Sequence, residues 1–423
     1  YTDDDEASPV TTNTPVAVAV NSLLSAATAA TDSNGRFALS NVTVIPGDSL
    51  TLFFDTDGGI VGSTVTITDG ANIGTEANLR IYQNHLIPRY ESGSYISIYQ
   101  MSGYDNDNDG DINFTAVDAA TDTLTVEDGS ELYIPGGFAF RPGGDLASGG
   151  DGIDDLEIQG TLACNSSETI RVSGSWRNYG TFTPVSSTVI FDAAGSEVIL
   201  SGGDAFHNVT FGNAAGDWTP QDALDVNGDL SIAAGELKTG GLPLYVAGNF
   251  SNSGTFTHGN NIVTFDGSAA QTLNPGSSAF YGLTVSNTGA DVTLTGNPLS
   301  ATALTVNTGA VLDIAGQNLT VSGAFTNNGT VELTGDQASV SLTQDIDSGT
   351  FRYTATSGSR ALKDFGATDY YNLEIDGEGG TFTLGAGLSL ARNLTIAAGT
   401  FTAGSQGVSV GNSLTISGGT CNG

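Results

Sequence analysis

The segment Leu244–Phe265 has the sequence LYVAGNFSNSGTFTHGNNIVTF and contains the pattern that decides the fold. It opens with Leu244-Tyr-Val and closes with Val263-Thr-Phe. In both tripeptides the first and third residues are apolar, and the central residue is Tyr in one and Thr in the other. Side chains on a β-strand alternate between its two faces, so the outer residues of each tripeptide share one face. The segment therefore predicts two short strands, each with one buried pair of side chains.

The same tripeptide recurs along most of the chain at regular spacings. From Leu156 the anchors advance in steps of 14, 19, 20 and 21, and from Leu230 the same four steps follow again. They define a superrepeat of about 74 residues, which we interpret as four coils. The pattern slips once after Val340 and resumes at Leu373. The anchor residues are Leu156, Ile170, Val189, Val209, Leu230, Leu244, Val263, Leu283, Leu304, Leu319, Val340, Leu373, Leu394 and Val408.

One coil of about 18 residues cannot bury its apolar pair alone, whereas coils stacked at roughly 4.8 Å form a continuous core and a continuous hydrogen-bonded sheet. The fold class that we predict is all-β. It consists of a right-handed parallel β-solenoid, or β-helix, preceded by a small antiparallel β-sandwich. About 15 coils between Leu156 and Val408 would stack over roughly 70 Å.

Aromatic residues keep the same register as the tripeptides. Trp176, Phe250 and Phe325 recur once in each superrepeat. We interpret them as ladders that pack within the solenoid rather than as platforms for sugars. His207 occupies the position of Tyr281, so we interpret it as a replacement for an aromatic residue rather than as a catalytic base.

The chain has 46 acidic and 11 basic residues, which gives a formal net charge of −35. This charge repels nucleic-acid phosphates and anionic lipid surfaces, so we exclude nucleic acid as a partner. No run of about 18 apolar residues occurs, and we expect no insertion into a membrane. No charged region precedes an apolar stretch at Tyr1, so we expect a secreted, cell-surface protein whose secretion signal has been removed.

The sequence divides into four parts. Residues 1–13 are acidic and rich in Thr, and we expect an extended arm. Residues 14–104 contain alternating strand and turn signals, as in Val16-Ala-Val-Ala-Val20, and predict the β-sandwich. Residues 105–120 form an Asp-rich linker, and the solenoid of four-coil repeats covers residues 121–423.

Two kinds of phrase resemble known families of extracellular proteins. Thr31-Asp-Ser-Asn-Gly-Arg-Phe37 together with Pro46-Gly-Asp-Ser-Leu-Thr-Leu52 resembles the carboxypeptidase regulatory-like, or transthyretin-like, modules of secreted bacterial proteins. Asn393-Leu-Thr-Ile-Ala-Ala-Gly-Thr-Phe401 and Gly248-Asn-Phe-Ser-Asn-Ser-Gly-Thr-Phe256 resemble the solenoid repeats of large bacterial and archaeal surface proteins. The first resemblance implies a β-sandwich. The second implies display or assembly at the cell surface, without a known active site.

The segment Asp105-Asn-Asp-Asn-Asp-Gly-Asp-Ile-Asn113 is the one local motif that indicates a metal. It places oxygens at positions 1, 3 and 5 and Gly at position 6, as an EF-hand calcium loop does. Position 12 is Ala116 instead of a bidentate Glu, so calcium would bind weakly unless Asp118 replaced that ligand. A solvated acidic linker explains the same residues equally well. The candidate calcium ligands are Asp105, Asp107, Asp109 and Asp111.

An enzyme has to be considered, because parallel β-helices host polysaccharide lyases and hydrolases. Glycoside hydrolysis needs two carboxylates about 5–9.5 Å apart, and β-elimination needs a base near a carboxylate-bound metal. The matched acids Asp192 and Asp266 lie four coils apart, roughly 19 Å at the stacking distance, so they cannot act as a pair. We therefore predict no catalytic residues and no enzymatic activity.

The function that we predict is that of an extracellular structural protein whose copies join head to tail in a cell-surface filament or layer. A solenoid end exposes unpaired N–H and C=O groups, and we find no capping sequence around Leu414-Thr-Ile-Ser-Gly-Gly-Thr-Cys421. Contacts that join head to tail without closing generate a fibre. The alternatives are a monomeric adhesin stalk that binds glycans or surfaces and, third, a polysaccharide-degrading β-helix enzyme.

Two sets of residues are candidates for contacts between copies. Val16, Val18 and Val20 share one face of a strand, and we expect this segment to pair with a strand of a neighbouring copy. Cys164 and Cys421 lie in the first and last regular coils, roughly 65 Å apart, which excludes a disulfide within one chain. Across a head-to-tail junction they could meet. The alternative is two free thiols that pack as small apolar residues.

Overall fold

The computed structural model describes residues 1–2, 6–57, 59–69, 79–91, 93–103, 110–118, 122–148 and 153–423. The protein is 47% strand and 1% helix, and it forms a parallel β-solenoid of about 17 turns with an antiparallel N-terminal sheet. The predicted all-β class, with a parallel β-solenoid and an antiparallel N-terminal sheet, is therefore confirmed. The chain divides into two compact units, Tyr1–Asp222 and Ala223–Gly423, which we call unit 1 and unit 2.

The elements of unit 1 are short strands and one helical turn. The N-terminal strands are β1 (Pro15–Val20), β2 (Leu23–Ala30), β3 (Ser49–Phe54), β4 (Ser63–Ile67) and β5 (His85–Pro88), followed by the helix α1 (Ile98–Met101). The later strands are β6 (Phe114–Val117), β7 (Asp122–Val126), β8 (Glu131–Ile134), β9 (Ala139–Phe140), β10 (Gly144–Ser148), β11 (Leu156–Ile158), β12 (Thr161–Ala163), β13 (Thr169–Val172), β14 (Trp176–Asn178), β15 (Thr181–Thr183), β16 (Thr188–Phe191), β17 (Ser196–Leu200), β18 (Asn208–Phe211) and β19 (Asp217–Pro220).

The N-terminal sheet is antiparallel but continues directly into the solenoid. Strand β1 pairs antiparallel with β2 and β3, and β3 pairs antiparallel with β4. Strand β4 then pairs in parallel with β5, and β5 pairs in parallel with β8. Strands of the N-terminal segment and of the solenoid therefore share one hydrogen-bonded sheet, and the boundaries of a sandwich at 14–104 stay a prediction. Residues 114–117, which we predicted as linker, form β6 and pair with β7.

No second sheet covers the N-terminal sheet in the described part of the chain. Its buried face holds Val16, Val18 and Leu52, and the side chains packed over them come from an irregular segment that includes Phe37 and Val44. The described residues 31–48 contain no strand. Among the described residues, an irregular layer therefore packs on the buried face of this sheet, and the resemblance to transthyretin-like modules stays a prediction.

Each regular turn of unit 1 contributes strands to three faces. Strands β11, β12 and β13 follow one another along the chain, and they pair in parallel with β14, β15 and β16 of the next turn. The outer residues of each tripeptide point inward and are buried, as Ile170 and Val172 of β13 are. The apolar core therefore runs along the inside of the turns, and the central residues face outward.

The pairing corrects our count of coils in the superrepeat. Ile170 pairs with Val189, the next anchor along the chain, so the step between these two anchors is one full turn. Leu156, however, pairs with Trp176 and not with Ile170, the anchor that follows it. The step from Leu156 to Ile170 leads from one face to another within a turn, because two strands on different faces also repeat the tripeptide pattern. The four steps of the superrepeat therefore contain three full turns and part of a fourth.

Unit 2 continues the same architecture with 24 strands. They are β20 (Leu224–Val226), β21 (Leu230–Ile232), β22 (Glu236–Lys238), β23 (Leu244–Val246), β24 (Phe250–Asn252), β25 (Thr255–Thr257), β26 (Ile262–Phe265), β27 (Gln271–Asn274), β28 (Phe280–Val285), β29 (Val292–Leu294), β30 (Leu299–Val306), β31 (Val311–Asp313), β32 (Leu319–Val321), β33 (Phe325–Asn327), β34 (Thr330–Leu333), β35 (Val340–Ser341), β36 (Thr350–Tyr353), β37 (Ser359–Ala361), β38 (Asn372–Thr383), β39 (Leu388–Leu390), β40 (Asn393–Thr402), β41 (Val408–Val410), β42 (Ser413–Ile416) and β43 (Thr420–Asn422).

A buried tyrosine pair holds unit 2 together where the repeat slips. The hydroxyls of Tyr353 and Tyr370 are 2.9 Å apart, and Tyr370 also donates to the carbonyl oxygen of Lys363 at 2.7 Å. The backbone N–H of Lys363 donates to the Tyr353 hydroxyl at 2.9 Å. Burial raises the pKa of Tyr353 to about 12, so its hydroxyl stays protonated at neutral pH. These bonds fix the extra residues between β36 and β38 against the core.

Candidate functional site

The aromatic residues form the same buried cluster in both units. Trp176 lies 4.8 Å from Phe182 and 5.1 Å from Phe206, measured between ring centroids. In unit 2 the equivalent residues of the next superrepeat repeat this arrangement, with Phe250 at 5.8 Å from Phe256 and 5.7 Å from Phe280. Trp176 and Phe250 are buried. The prediction that Trp176 packs in the core is confirmed, and its ring is not open to a sugar.

An asparagine that the sequence analysis missed accompanies each cluster. Asn178 donates through Nδ2 to the Ser201 carbonyl at 2.7 Å and to Asp204 at 2.9 Å. Asn252, its equivalent in the next superrepeat, donates to the Pro275 carbonyl at 3.0 Å and to Ser278 Oγ at 3.1 Å. Both asparagines are buried. We call Trp176, Asn178 and Phe182, with their equivalents Phe250, Asn252 and Phe256, the asparagine–aromatic units.

A third equivalent follows in the superrepeat after that. Asn327 is buried and donates to the Thr350 carbonyl at 3.2 Å. A glycine with positive φ lies next to each accepting residue. In unit 2 these are Gly276 at +62°, directly after Pro275, and Gly349 at +71°, directly before Thr350. A Cβ on Gly276 would lie 2.4 Å from the Asn252 carbonyl oxygen, so only glycine fits there. The signal in the sequence was the Asn spacing itself, which equals that of the aromatic residues.

The structure places the two matched acids in different units and gives each its own neighbour. Asp192 forms an ion pair with Arg171 of the preceding turn. Burial raises the pKa of Asp266 above the ordinary value, and burial followed by the charge of Asp266 raises the pKa of Asp225. Asp225 and Asp266 therefore repel each other. Our prediction compared Asp192 with Asp266 and missed the pair that unit 2 brings together.

A line of charged residues follows the outward face of neighbouring strands in unit 2. Glu332, Arg352 and Glu374 are in register on β34, β36 and β38, and Arg352 Nε lies 2.8 Å from Glu374. Arg352 also forms an ion pair with Glu332. Asp313 is in register with Glu332 on the adjacent β31. Burial raises the pKa of Asp313 above its ordinary value of 3.8, and the charge of Asp291 raises it further.

We expect Asp313→Asn to raise the melting temperature at pH 7. The folded chain holds the Asp313 proton more tightly than the unfolded chain does, so deprotonation costs stability as the pH rises through the folded-state pKa. Asparagine removes this cost and keeps the Oδ1 atom that accepts from the Ala315 N–H at 2.7 Å. Below about pH 3.8, where the carboxyl is protonated in both states, the difference should disappear. Calorimetry at both pH values measures it.

Asp364→Asn is the matched control for this change. Asp364 is exposed, and its Oδ1 accepts from the Gly366 N–H at 2.9 Å, the same local bond as that of Asp313. We expect its melting temperature to stay within error of the parent protein at both pH values. A stabilisation equal to that of Asp313→Asn would show that net charge alone, and not the burial of Asp313, is responsible.

The calcium prediction falls mainly outside the described residues. Asp105, Asp107 and Asp109 lie there, and Asp111 is 1% exposed. The described residues contain no group of three or more His, Cys, Asp or Glu side chains positioned to hold a metal ion. Calcium binding by the segment stays a prediction.

The segment that we expected to pair with a neighbouring copy is β1, and it already has a strand partner on each side within the chain. Its Val16 and Val18 are buried. Strand β2, which we did not predict, lies at the edge of the sheet and pairs with β1 alone among the described strands. Its Leu23 and Leu24 are 74% and 52% exposed. The open strand of this sheet is therefore β2.

Cys164 and Cys421 are both free, and they form no disulfide with each other within the chain. Cys164 is 4% exposed, and burial raises the pKa of its thiol to about 12. Cys421 is exposed and pairs in register with Phe401, an apolar position of the repeat. The predicted crosslink between copies needs both thiols at the surface, and the folded chain exposes only Cys421.

No family model, curated protein or solved structure matches this chain. In the described part of the chain, no helix has the length and apolar character needed to cross a membrane.

Proposed function

We propose that this protein is an extracellular structural protein whose copies join head to tail in a cell-surface filament or layer. The repeated asparagine–aromatic unit is the observation that carries the structural role. Buried polar side chains are costly unless they are hydrogen-bonded. Asn178, Asn252 and Asn327 each donate a hydrogen bond to a carbonyl group of the following turn. Their chemistry stabilises the stacking of turns.

The direction of the fold supports assembly from head to tail. Every regular turn pairs in parallel with the next, so the solenoid has two different ends and one direction of growth. A contact between unlike surfaces that does not close on itself produces an open polymer. The regular outward ladders of small polar residues, such as Thr264, Thr284 and Thr305, would give such a polymer a uniform surface.

The large negative charge sets the conditions for assembly. Two copies with a net charge of −35 each repel one another at low ionic strength, and salt shortens the range of that repulsion to about 8 Å at 0.15 M. Assembly should therefore need salt. It should also use surfaces that lack carboxylates.

We expect negative-stain electron microscopy of the purified chain in 0.15 M salt to show unbranched polymers of uniform width. After dialysis to about 0.01 M salt, where the screening length is about 30 Å, we expect them to dissociate. Isolated particles under both conditions would refute the proposal and favour the adhesin alternative. Polymers that persist at low salt would support the structural role but contradict the role that we give to charge.

A further inference from the structure

A groove crosses three successive turns of unit 1. It has a volume of about 390 Å³, which lies within the range of about 300–1,000 Å³ that is usual for ligand pockets. Tyr90 lines it on one side, and the rest of the lining comes from the beginnings of β9, β12 and β15 and the residues just before them. These three strands pair in parallel with one another. The groove is thus formed by interior turns of the solenoid.

Glycines form the floor of this groove, and aromatic rings form its wall. A Cβ on Gly160 would lie 2.3 Å from the Phe138 carbonyl oxygen, and a Cβ on Gly180 would lie 2.1 Å from the Gly160 carbonyl oxygen. Only glycine fits at these two positions, so neighbouring turns lie close together without side chains between them. Tyr90 and Phe138 meet edge to face, with 5.4 Å between their ring centroids. The groove therefore combines a backbone floor with an aromatic wall.

Several polar side chains of the groove are available to a ligand. Thr161 and Thr181 are in register on β12 and β15. Their hydroxyls and that of Tyr90 have no hydrogen-bond partner among the described residues. Gln159 donates through Nε2 to Glu157 at 2.7 Å, which holds the amide in place and leaves its Oε1 atom to accept another bond. The groove thus offers three hydroxyls and one oriented amide.

The next superrepeat shows which residue at this place the fold does not require. Strand β25 has the same sequence, Thr-Phe-Thr, as β15, and each is preceded by a glycine. The residue before that glycine is Ser253 in unit 2 and Tyr179 in unit 1, where the tyrosine is 57% exposed. Because serine suffices for the stacking of turns, packing does not explain the tyrosine. It adds an exposed ring directly before Gly180, which lines the groove.

The charge of the site indicates the class of ligand. Among the described residues that line the groove there is no Asp or Glu, so the lining has no carboxylate to bind a cation. The net charge of −35 repels polyanions. Aromatic rings with hydroxyl and amide groups suit a ligand that has both an apolar face and a polar rim. A neutral sugar has this character, because C–H groups form the faces of its ring and hydroxyls form its edge.

We infer that this groove binds a neutral oligosaccharide, with one sugar ring against Tyr90 and its hydroxyl groups bonded to Gln159, Thr161 and Thr181. The exposed ring of Tyr179 contacts a further sugar of the same chain. The inference goes beyond the proposed structural role. It does not depend on self-assembly, since one copy supplies every residue of the groove.

The test is isothermal titration calorimetry of the full-length chain at millimolar sugar. The neutral probes are cellotetraose, chitotetraose, mannotetraose and maltotetraose, and the acidic probe is the tetrasaccharide of galacturonic acid. We expect at least one neutral tetrasaccharide to bind and the acidic one not to bind. The affinity for the neutral sugar should be the same in about 0.01 M and about 0.15 M salt, because salt screens only interactions between charges.

Two variants remove the aromatic and the polar contacts separately. We expect Tyr90→Ala to weaken binding about tenfold through loss of the ring contact. Thr161→Val combined with Thr181→Val removes two hydroxyls, keeps the branched shape that strands favour, and should also weaken binding about tenfold. Should Tyr90→Ala lose the β circular dichroism signal, the valine variant decides, because the two hydroxyls have no hydrogen-bond partner to lose among the described residues.

The matched controls change the same residue types outside the groove. Tyr99 is 63% exposed in unit 1, and Thr255 is the exposed equivalent of Thr181 in unit 2. We expect Tyr99→Ala and Thr255→Val to bind the sugar like the parent protein.

Three results would overturn the inference. The first is that none of the four neutral tetrasaccharides binds. The second is that the groove variants bind a neutral sugar as tightly as the controls do, which would place the sugar elsewhere on the chain. The third is that the acidic tetrasaccharide binds more tightly than the neutral ones. None of these results changes the expectation of polymers, which electron microscopy tests separately.

Discussion

Replacing Trp176 by alanine is expected to lower the free energy of unfolding by about 3–5 kcal/mol. The side chain is fully buried, and its ring contacts those of Phe182, Phe191 and Phe206. Hydrogen-bonded strands on both sides hold the backbone around it, because β14 pairs with β11 and with β17. The cavity therefore cannot collapse, which places the loss near the upper end of this range. Urea unfolding followed by circular dichroism measures it.

Trp176→Phe is the matched control for this change. Phenylalanine occupies the equivalent position in unit 2, where Phe250 packs against Phe256 and Phe280. The Nε1 atom of Trp176 is buried and has no hydrogen-bond partner among the described residues, so phenylalanine loses no bond. We expect a loss below about 1.5 kcal/mol. A loss as large as that of the alanine variant would show that the two clusters are not equivalent.

The sequence predicted the solenoid because its decisive pattern is local. A strand that buries one face needs apolar residues at positions i and i+2, and stacked turns need this pattern again at the same register. The pairs Ile170 with Val189 and Val263 with Leu283 confirm that reasoning. The same local pattern could not show which face a strand belongs to, since Leu156 and Ile170 look alike in the sequence. From the sequence alone we therefore counted the step between these two residues as a full turn, although it joins two faces of one turn.

The edge of the N-terminal sheet could not be predicted for a related reason. The alternation in Val16–Val20 indicates a strand but carries no information about its neighbours. Its partner β3 lies far along the chain, beyond β2 and an irregular segment, and only the folded chain shows that this pairing makes β1 central. The Ala-rich segment Leu23–Ala30 has weak strand propensity, so the edge strand itself went unnoticed.

The buried asparagines of the asparagine–aromatic units were not recognised in the sequence because the chain is rich in asparagine. Asparagine is frequent in the turns of this chain, and Asn178 and Asn252 did not stand out although they keep the spacing of the aromatic residues. The raised pKa values of Asp225 and Asp313 were not predicted either, because they follow from burial and from neighbouring carboxylates in the folded chain. Exposed strand edges cannot be recognised in a sequence, because exposure depends on pairing elsewhere.

Replacing Asn252 by alanine is expected to lower the free energy of unfolding by about 1–3 kcal/mol. The Nδ2 atom donates to the Pro275 carbonyl at 3.0 Å, and this bond lies in the buried interior between two turns. Alanine leaves the Pro275 carbonyl with only the longer bond from the Ser278 N–H at 3.3 Å, and the close approach of Gly276 to the Asn252 backbone prevents a larger rearrangement. A decrease in the urea midpoint with an unchanged slope measures the loss.

Ser253→Ala controls for the position in the chain. Ser253 is exposed and directly follows Asn252, and its backbone N–H keeps its bond to the Ile232 carbonyl at 2.8 Å whatever the side chain. We expect its unfolding midpoint to match that of the parent. Asn178→Ala should reproduce the Asn252→Ala loss in unit 1, because Asn178 makes the equivalent bond to the Ser201 carbonyl at 2.7 Å. If Asn178→Ala and Asn252→Ala both behave like Ser253→Ala, the asparagines do not hold the turns together, and the structural role proposed for the repeat loses its main support.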